Sequence, residues 1–198
     1  MQTVSIQGSV RNQVGKVATK ANRAKEEIPC VLYGQKENIH FTTNWSEVRH
    51  LIYTPDFKLA ELTIDGTKYT AILKDTQFHP ASEQILHIDF LKLTPGHPIN
   101  VSVPLRLKGS SPGVKSGGRL VQSVRKIKIK CLPEQLVDEV ALDISELDLG
   151  QTVRVRDIQG QSGIEITMTP SVPVAMVEIP RALRSAATEA AKAPGKKK

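Results

Sequence analysis

The sequence predicts a mainly β protein. It reads as an N-terminal six-stranded β-barrel with short helices, a second, mostly β domain, and a flexible basic C-terminal tail. Three observations predict this. Short runs of alternating polar and apolar residues recur along the 198 residues, separated by Gly, Pro, Asn and Asp turn signals. The run Thr94-Pro95-Gly96-His97-Pro98 breaks the pattern, and beyond it only strands are signalled, so domains are expected over 1–93 and 94–181. After Pro180 the stretch RALRSAATEAAKAPGKKK offers no apolar face to bury, so 182–198 reads as a mobile basic tail.

In chain order, residues 2–10 set Val4, Ile6, Gly8 and Val10 against Ser5, Gln7 and Ser9, a half-buried strand that Arg11 continues on its polar face. Asn12–Gly15 turn into a short helix over Val17–Lys25. Pro29 opens a second strand, Cys30–Tyr33, and Gly34–Glu37 reads as the hairpin loop to a third, Asn38–Thr43. Asn44 or Ser46 can cap a helix over Trp45–Tyr53. Leu59–Ile64, Asp65-Gly66 and Thr67–Leu73 form a hairpin, because Asp-Gly supplies the positive φ angles of a type I′ turn. Ile85–Leu93 is the sixth strand, with His87, Asp89 and Leu91 on one face and Leu86, Ile88 and Phe90 on the other. Closing six such strands into a barrel removes their edges.

In the second domain Ile99–Leu107 alternates, although Pro104 demotes it to an edge or bulged strand. Gly109–Gly118 is a Gly/Ser-rich loop. Leu120–Ser123 and Arg125–Leu132 follow, the latter with Lys126, Lys128 and Lys130 facing away from Ile127, Ile129 and Cys131. Further strands are expected at Val137–Ile144, Val153–Ile158, Gly163–Met168 and Val172–Ile179, with a short turn or helix at Ser145–Leu149.

Composition narrows the function. No apolar run approaches a membrane span, and MQTVSIQGSV lacks the basic and apolar regions of a secretory signal, so a cytoplasmic protein with no membrane partner is expected. Cys30 and Cys131 lie outside any C-x-x-C spacing and read as reduced, buried thiols. The five histidines have no metal-ligand spacing, so no metal or other cofactor is expected. The net charge of +7 is spread as +1 over 1–93, +2 over 94–181 and +4 over 182–198. The signal is therefore local. Arg11–Lys25 carries five basic residues and no acid, and Phe90–Pro133 carries nine and none. Such windows on near-neutral domains favour one oriented anionic partner.

Lys16, Lys20 and Arg23 share one helix face, which with Arg11 suits gripping phosphates. A solvated helix face explains the same pattern, although no acid stands at i±4 within the window to neutralise it. His87 and Asp89 lie about 7 Å apart by strand rise. They fit a solvated strand face, a local ion pair, or a pair that reads base edges and 2′-hydroxyls. A hydrolase built on them lacks a nucleophile, and neighbours on one strand splay outward. Gly113–Gly118 lacks the Gly-Lys-Ser/Thr end of a phosphate loop, and no small-molecule substrate is expected. The eight aromatic residues sit mostly at alternating core positions, leaving Tyr33 as the one placed to touch RNA. A helical or folded RNA fits better than stacked single strands.

Two signatures then carry a resemblance. The first is Arg11-x3-Gly15-Lys16-x2-Thr19-Lys20-x2-Arg23 followed by Pro29-x3-Tyr33-Gly34. The second is Lys74-Asp75-Thr76-Gln77-x-His79-Pro80 followed by His87-Ile88-Asp89-Phe90. With Gly113-Val114-Lys115-x-Gly117-Gly118, Cys131-Leu132-Pro133, and Leu142-Asp143-Ile144-Ser145 before Leu149-Gly150, the chain resembles the long form of the 5S rRNA-binding bacterial ribosomal protein L-twenty-five (general stress protein Ctc) family, over residues 1 to about 180. The resemblance implies a six-stranded barrel that binds 5S rRNA in the central protuberance of the large ribosomal subunit, among neighbouring ribosomal proteins. It assigns RNA contacts, by position, to Arg11, Lys16, Thr19, Lys20, Arg23, Tyr33, Gln77, His87 and Asp89. Lys20 stands where an arginine is frequent, which replaces a bidentate fork by a point charge. Lys115 and Arg119, in the second acid-free window, are candidates for a further rRNA surface. The alternative is a stress-associated adaptor whose β domain docks on other proteins.

Overall fold

The computed structural model describes residues 1–34, 37–158 and 163–181. The tip of the Gly34–Glu37 loop and the 182–198 tail lie outside the described residues. The chain divides into two compact units: Met1–Val101 with Cys131–Asp138, and Ser102–Lys130 with the residues from Glu139 onward.

In the first unit six strands close a barrel. They are β1 (Thr3–Val10), β2 (Glu27–Gly34), β3 (Glu37–Asn44), β4 (Leu59–Ile64), β5 (Thr67–Phe78) and β6 (Ile85–Lys92), in the order β1-β3-β2-β6-β5-β4. Two parallel pairings close it. Thr3–Gly8 run beside Leu59–Ile64, and Cys30–Tyr33 run beside Ile88–Leu91. Helix α1 (Lys16–Ala24) links β1 to β2, and α2 (Trp45–Ile52) links β3 to β4. The alternation read from the sequence fills the interior. Ile6, Leu32, Phe41, Leu62, Ile88 and Phe90 are fully buried, and the Phe41 and Phe90 rings meet at 5.9 Å. Gly8 lets β1 pass against the Phe41 ring, since a Cβ there would stand 2.5 Å from Phe41 Cδ2. Val48 and Leu51 of α2 join the same core. Helix α1 buries nothing; Val17 is 85% exposed.

Several local expectations are corrected. Val10 is exposed, not inward. β2 starts at Glu27, so Pro29 lies inside it; pairing to β6 begins only at Cys30, and the missing N–H costs no ladder bond on that side. β5 does not stop at Leu73 but runs on to Phe78, past a register shift between Leu73 and Asp75. Asp65 and Gly66 both have positive φ, 45° and 85°, as the I′ hairpin requires.

Beyond the barrel the chain forms two further sheets, most of whose residues belong to the second unit. The four-stranded one runs β10 (Val140–Asp143), β7 (Ile99–Lys108), β9 (Lys126–Cys131), β12 (Glu165–Ile166). The three-stranded one runs β11 (Thr152–Arg154), β13 (Pro173–Glu178), β8 (Arg119–Gln122). β7 is therefore an inner strand, not an edge; its parallel pairing with β10 begins at Leu105, one residue past Pro104. Lys126, Lys128 and Lys130 are exposed and Ile127, Ile129 and Cys131 buried, as their alternation predicts. The segment expected as a strand over Val153–Ile158 divides into β11 and a 3-10 turn, Val155–Asp157. The Gly/Ser-rich loop contains a helical turn, α3 (Pro112–Lys115). Gly113 packs on the Asp148–Leu149 backbone so closely that a Cβ would stand 2.6 Å from the Asp148 carbonyl carbon. The glycine thus serves chain packing and does not open a cradle.

Candidate nucleic-acid interface

The barrel's pairing register builds the site. On β5 and β6, Asp75 stands opposite Asp89 and Gln77 opposite His87, so all four side chains share one face. The sequence pattern gives no hint of this, because the irregularity after Leu73 resets which β5 residues point outward. On the other side of β6, Val31 pairs with Asp89 and Tyr33 with Leu91, which brings Tyr33 to the same patch. Its phenol is held above the ordinary tyrosine range, first by burial and then by the Asp89 and Asp75 charges. Asp75 thus joins the candidate patch, a placement that the expected strand end at Leu73 concealed.

His87 and Asp89 do not splay. His87 Nδ1 and Asp89 Oδ1 are 2.7 Å apart, and both side chains are half-buried. With Nδ1–H donating to the carboxylate, the ring orientation is fixed and Nε2 is left as the ring's acceptor. The carboxylate keeps further lone pairs for donors.

The cationic residues divide into two groups. Lys16 and Lys20 are exposed on α1. Gly15 starts the helix without a side-chain cap, and the hydroxyl of Thr19 donates to its carbonyl at 2.7 Å, so Thr19 faces back into the turn. Arg23 is anchored instead: Nε and Nη2 donate to the Leu86 carbonyl at 3.2 and 2.8 Å. That bond ties an otherwise unburied helix to β6, next to His87. Arg11 is withdrawn. Its Nε and Nη1 are buried without a hydrogen-bond partner, and its charge acts on the buried Cys30 thiol, which burial pushes far above the ordinary range. Lys115, at the end of α3, and Arg119, opening β8, are exposed in the second unit.

The aromatic residues depart from expectation. Only Phe41 and Phe90 are buried, whereas Trp45, Tyr53 and Phe78 are exposed. Alternation misled here because α2 turns its first residue outward and β5 is irregular at Gln77/Phe78. Cys30 and Cys131 are free and buried, as expected. Among the described residues no three His, Cys, Asp or Glu side chains cluster as a metal site, and no helix is long and apolar enough to cross a membrane.

The geometry is thus that of a small closed barrel with a hydrogen-bonding patch on its outer wall and a basic helix anchored beside it. The family follows from sequence comparison: the chain belongs to the Ribosomal L25p family, whose model matches residues 6–90, and residues 98–181 match the Ribosomal protein TL5, C-terminal domain. It is 42% identical to the large ribosomal subunit protein bL25 of Amoebophilus asiaticus over 198 residues, all of both chains. It is 40% identical to that of Porphyromonas gingivalis over 191 residues, covering 96% of this chain and 99% of the relative. The Bacteroides thetaiotaomicron protein of the same name is 39% identical over 197 residues, 97% of this chain and all of the relative.

Proposed function

We propose that this protein is a structural constituent of the large ribosomal subunit that binds 5S rRNA in the central protuberance, and hence works in the cytoplasm as part of the ribosome. The observation that carries the reading is the Tyr33, Gln77, His87 and Asp89 patch on the barrel wall, to which Arg23 ties the Lys16- and Lys20-bearing helix α1 through the Leu86 carbonyl. The full-length relatives, each named a large ribosomal subunit protein, support it. Binding is docking onto a preformed surface. Lys16 and Lys20 hold phosphates; Arg23 fixes the helix against β6; Gln77, His87 and Asp89 meet base edges and 2′-hydroxyls and set the register. Arg11, whose Nε and Nη1 lie buried, contributes positive charge behind the patch and makes no contact through those atoms. Lys115 and Arg119 offer a further rRNA contact. No catalytic step is involved.

The test is a gel-shift titration of the full chain with 5S rRNA and with a structured RNA of similar size. Wild type should prefer 5S rRNA. Asp89→Asn, which keeps shape but removes the carboxylate, should cost about tenfold in that preference, near one charged hydrogen bond. Equal affinity of wild type for both RNAs would refute the reading.

A further inference from the structure

A groove of about 470 Å³ opens on the first unit beside the Arg23–Leu86 contact. Its floor is apolar, with Ile28 and Ile85 buried beneath it. Trp45, 47% exposed, and Tyr53, 58% exposed, line it, and the exposed Phe78 ring packs edge-on against Tyr53 at 6.5 Å. Three carboxylates, Glu26, Glu27 and Glu83, complete the lining. None of them is in an ion pair among the described residues. The one cation in the lining is Arg23, already committed to the Leu86 carbonyl.

This chemistry is the reverse of the neighbouring helix face. Three unpaired carboxylates repel phosphates, so the groove is not an extension of the RNA surface. Exposed Trp and Tyr above an apolar floor are the side chains that anchor protein contacts. Aromatic faces with carboxylates around them select a cation on an aliphatic stem: the stem lies on the rings and the head reaches the acids. Arg49, 5.8 Å over the Trp45 ring, shows that this indole accepts a guanidinium on one face. In a chain of net charge +7 this is a local acidic exception, so a basic segment binds here only by fitting it. We infer that the Trp45–Tyr53–Glu83 groove docks a lysine- or arginine-rich segment of a neighbouring protein, independently of RNA binding on the adjoining wall.

Trp45 is the only tryptophan in the sequence, so its emission reports on the groove directly. The probe is an amidated hexapeptide of lysine and leucine, titrated into the full chain; an acidic hexapeptide of glutamate and leucine and a short RNA duplex are the comparisons. The expected result is a saturable change in Trp45 emission with the basic peptide alone. The Glu26→Gln/Glu83→Gln double variant should bind the peptide about tenfold more weakly with unchanged circular dichroism. Tyr53→Ala should weaken it too. No response to the basic peptide, an undiminished response in the double variant, or a response to the duplex in place of the peptide would overturn the proposal; the last would make the groove part of the RNA surface.

Discussion

If the proposed interface grips phosphates through Lys16 and Lys20, replacing both by alanine separates that role from every other. Both side chains are exposed, and α1 buries no residue, so the fold loses no packing. Surface changes of this kind stay within about 0.5 kcal/mol, and alanine favours the helix. If each lysine neutralises one phosphate, the slope of log affinity against log salt becomes shallower by about 1.4–1.8. Between about 50 and 200 mM salt, a fourfold change, the variant should therefore lose roughly tenfold less affinity than wild type. Fluorescence anisotropy with end-labelled 5S rRNA over that range measures both slopes. A variant that binds more weakly but keeps the wild-type slope would refute the assignment, since the lysines would then act through something other than phosphate contact.

Arg23→Ala should loosen α1 by removing its two bonds to the Leu86 carbonyl, seen as faster amide hydrogen exchange over Lys16–Ala24; Arg23→Lys should not restore protection, because an ammonium cannot reproduce the two-pronged contact. Asp75→Asn should raise the urea midpoint, since it removes a like charge directly opposite Asp89, about 0.2–1 kcal/mol, while lowering preference for 5S rRNA; a less stable variant would count against repulsion in the patch. Cys30 predicts an alkaline limb. Its folded thiol titrates far above its ordinary value, so the contribution is fully present below that value and is lost as pH rises above about 9, at up to about 1.4 kcal/mol per unit. Urea midpoints from neutral pH upward should fall beyond that point, and Cys30→Ala should flatten the fall.

What the sequence made legible is what short-range pattern determines. Alternation marked all six barrel strands, Asp65-Gly66 marked the β4–β5 turn, and the Lys126–Lys130 stripe marked one face of β9. The rest depends on long-range pairing. Nothing near Lys74 announces that the strand continues, because β6 stabilises Asp75–Phe78 from the opposite side. The Arg23 contact spans 63 positions, and a helix-face argument sees only the cation, not the carbonyl that receives it. Aromatic residues read as core because most buried positions are apolar, yet Trp45 and Tyr53 flank a helix whose buried side chains are Val48 and Leu51. The His87–Asp89 pair was one of several readings the sequence left open, because strand rise sets the distance between backbones, not between side chains that lean together.

The two aspartates show how the proposed interface would divide its work. A surface meant only to attract RNA would not place Asp75 opposite Asp89, where each disfavours the other and both repel phosphate. Their position is tolerable because the cations sit apart on α1, which the barrel wall does not contain. On the proposed function, attraction and selection are carried by different elements: a helix with no core face supplies long-range steering, and a wall fixed by β2–β6 and β5–β6 pairing supplies directed acceptors. Arg23 joins the two, holding the helix by a backbone carbonyl one residue before His87. A shift of α1 along the wall would then misplace phosphates relative to the acceptors. Under this arrangement selectivity depends on the Arg23 anchor as much as on any group that touches RNA.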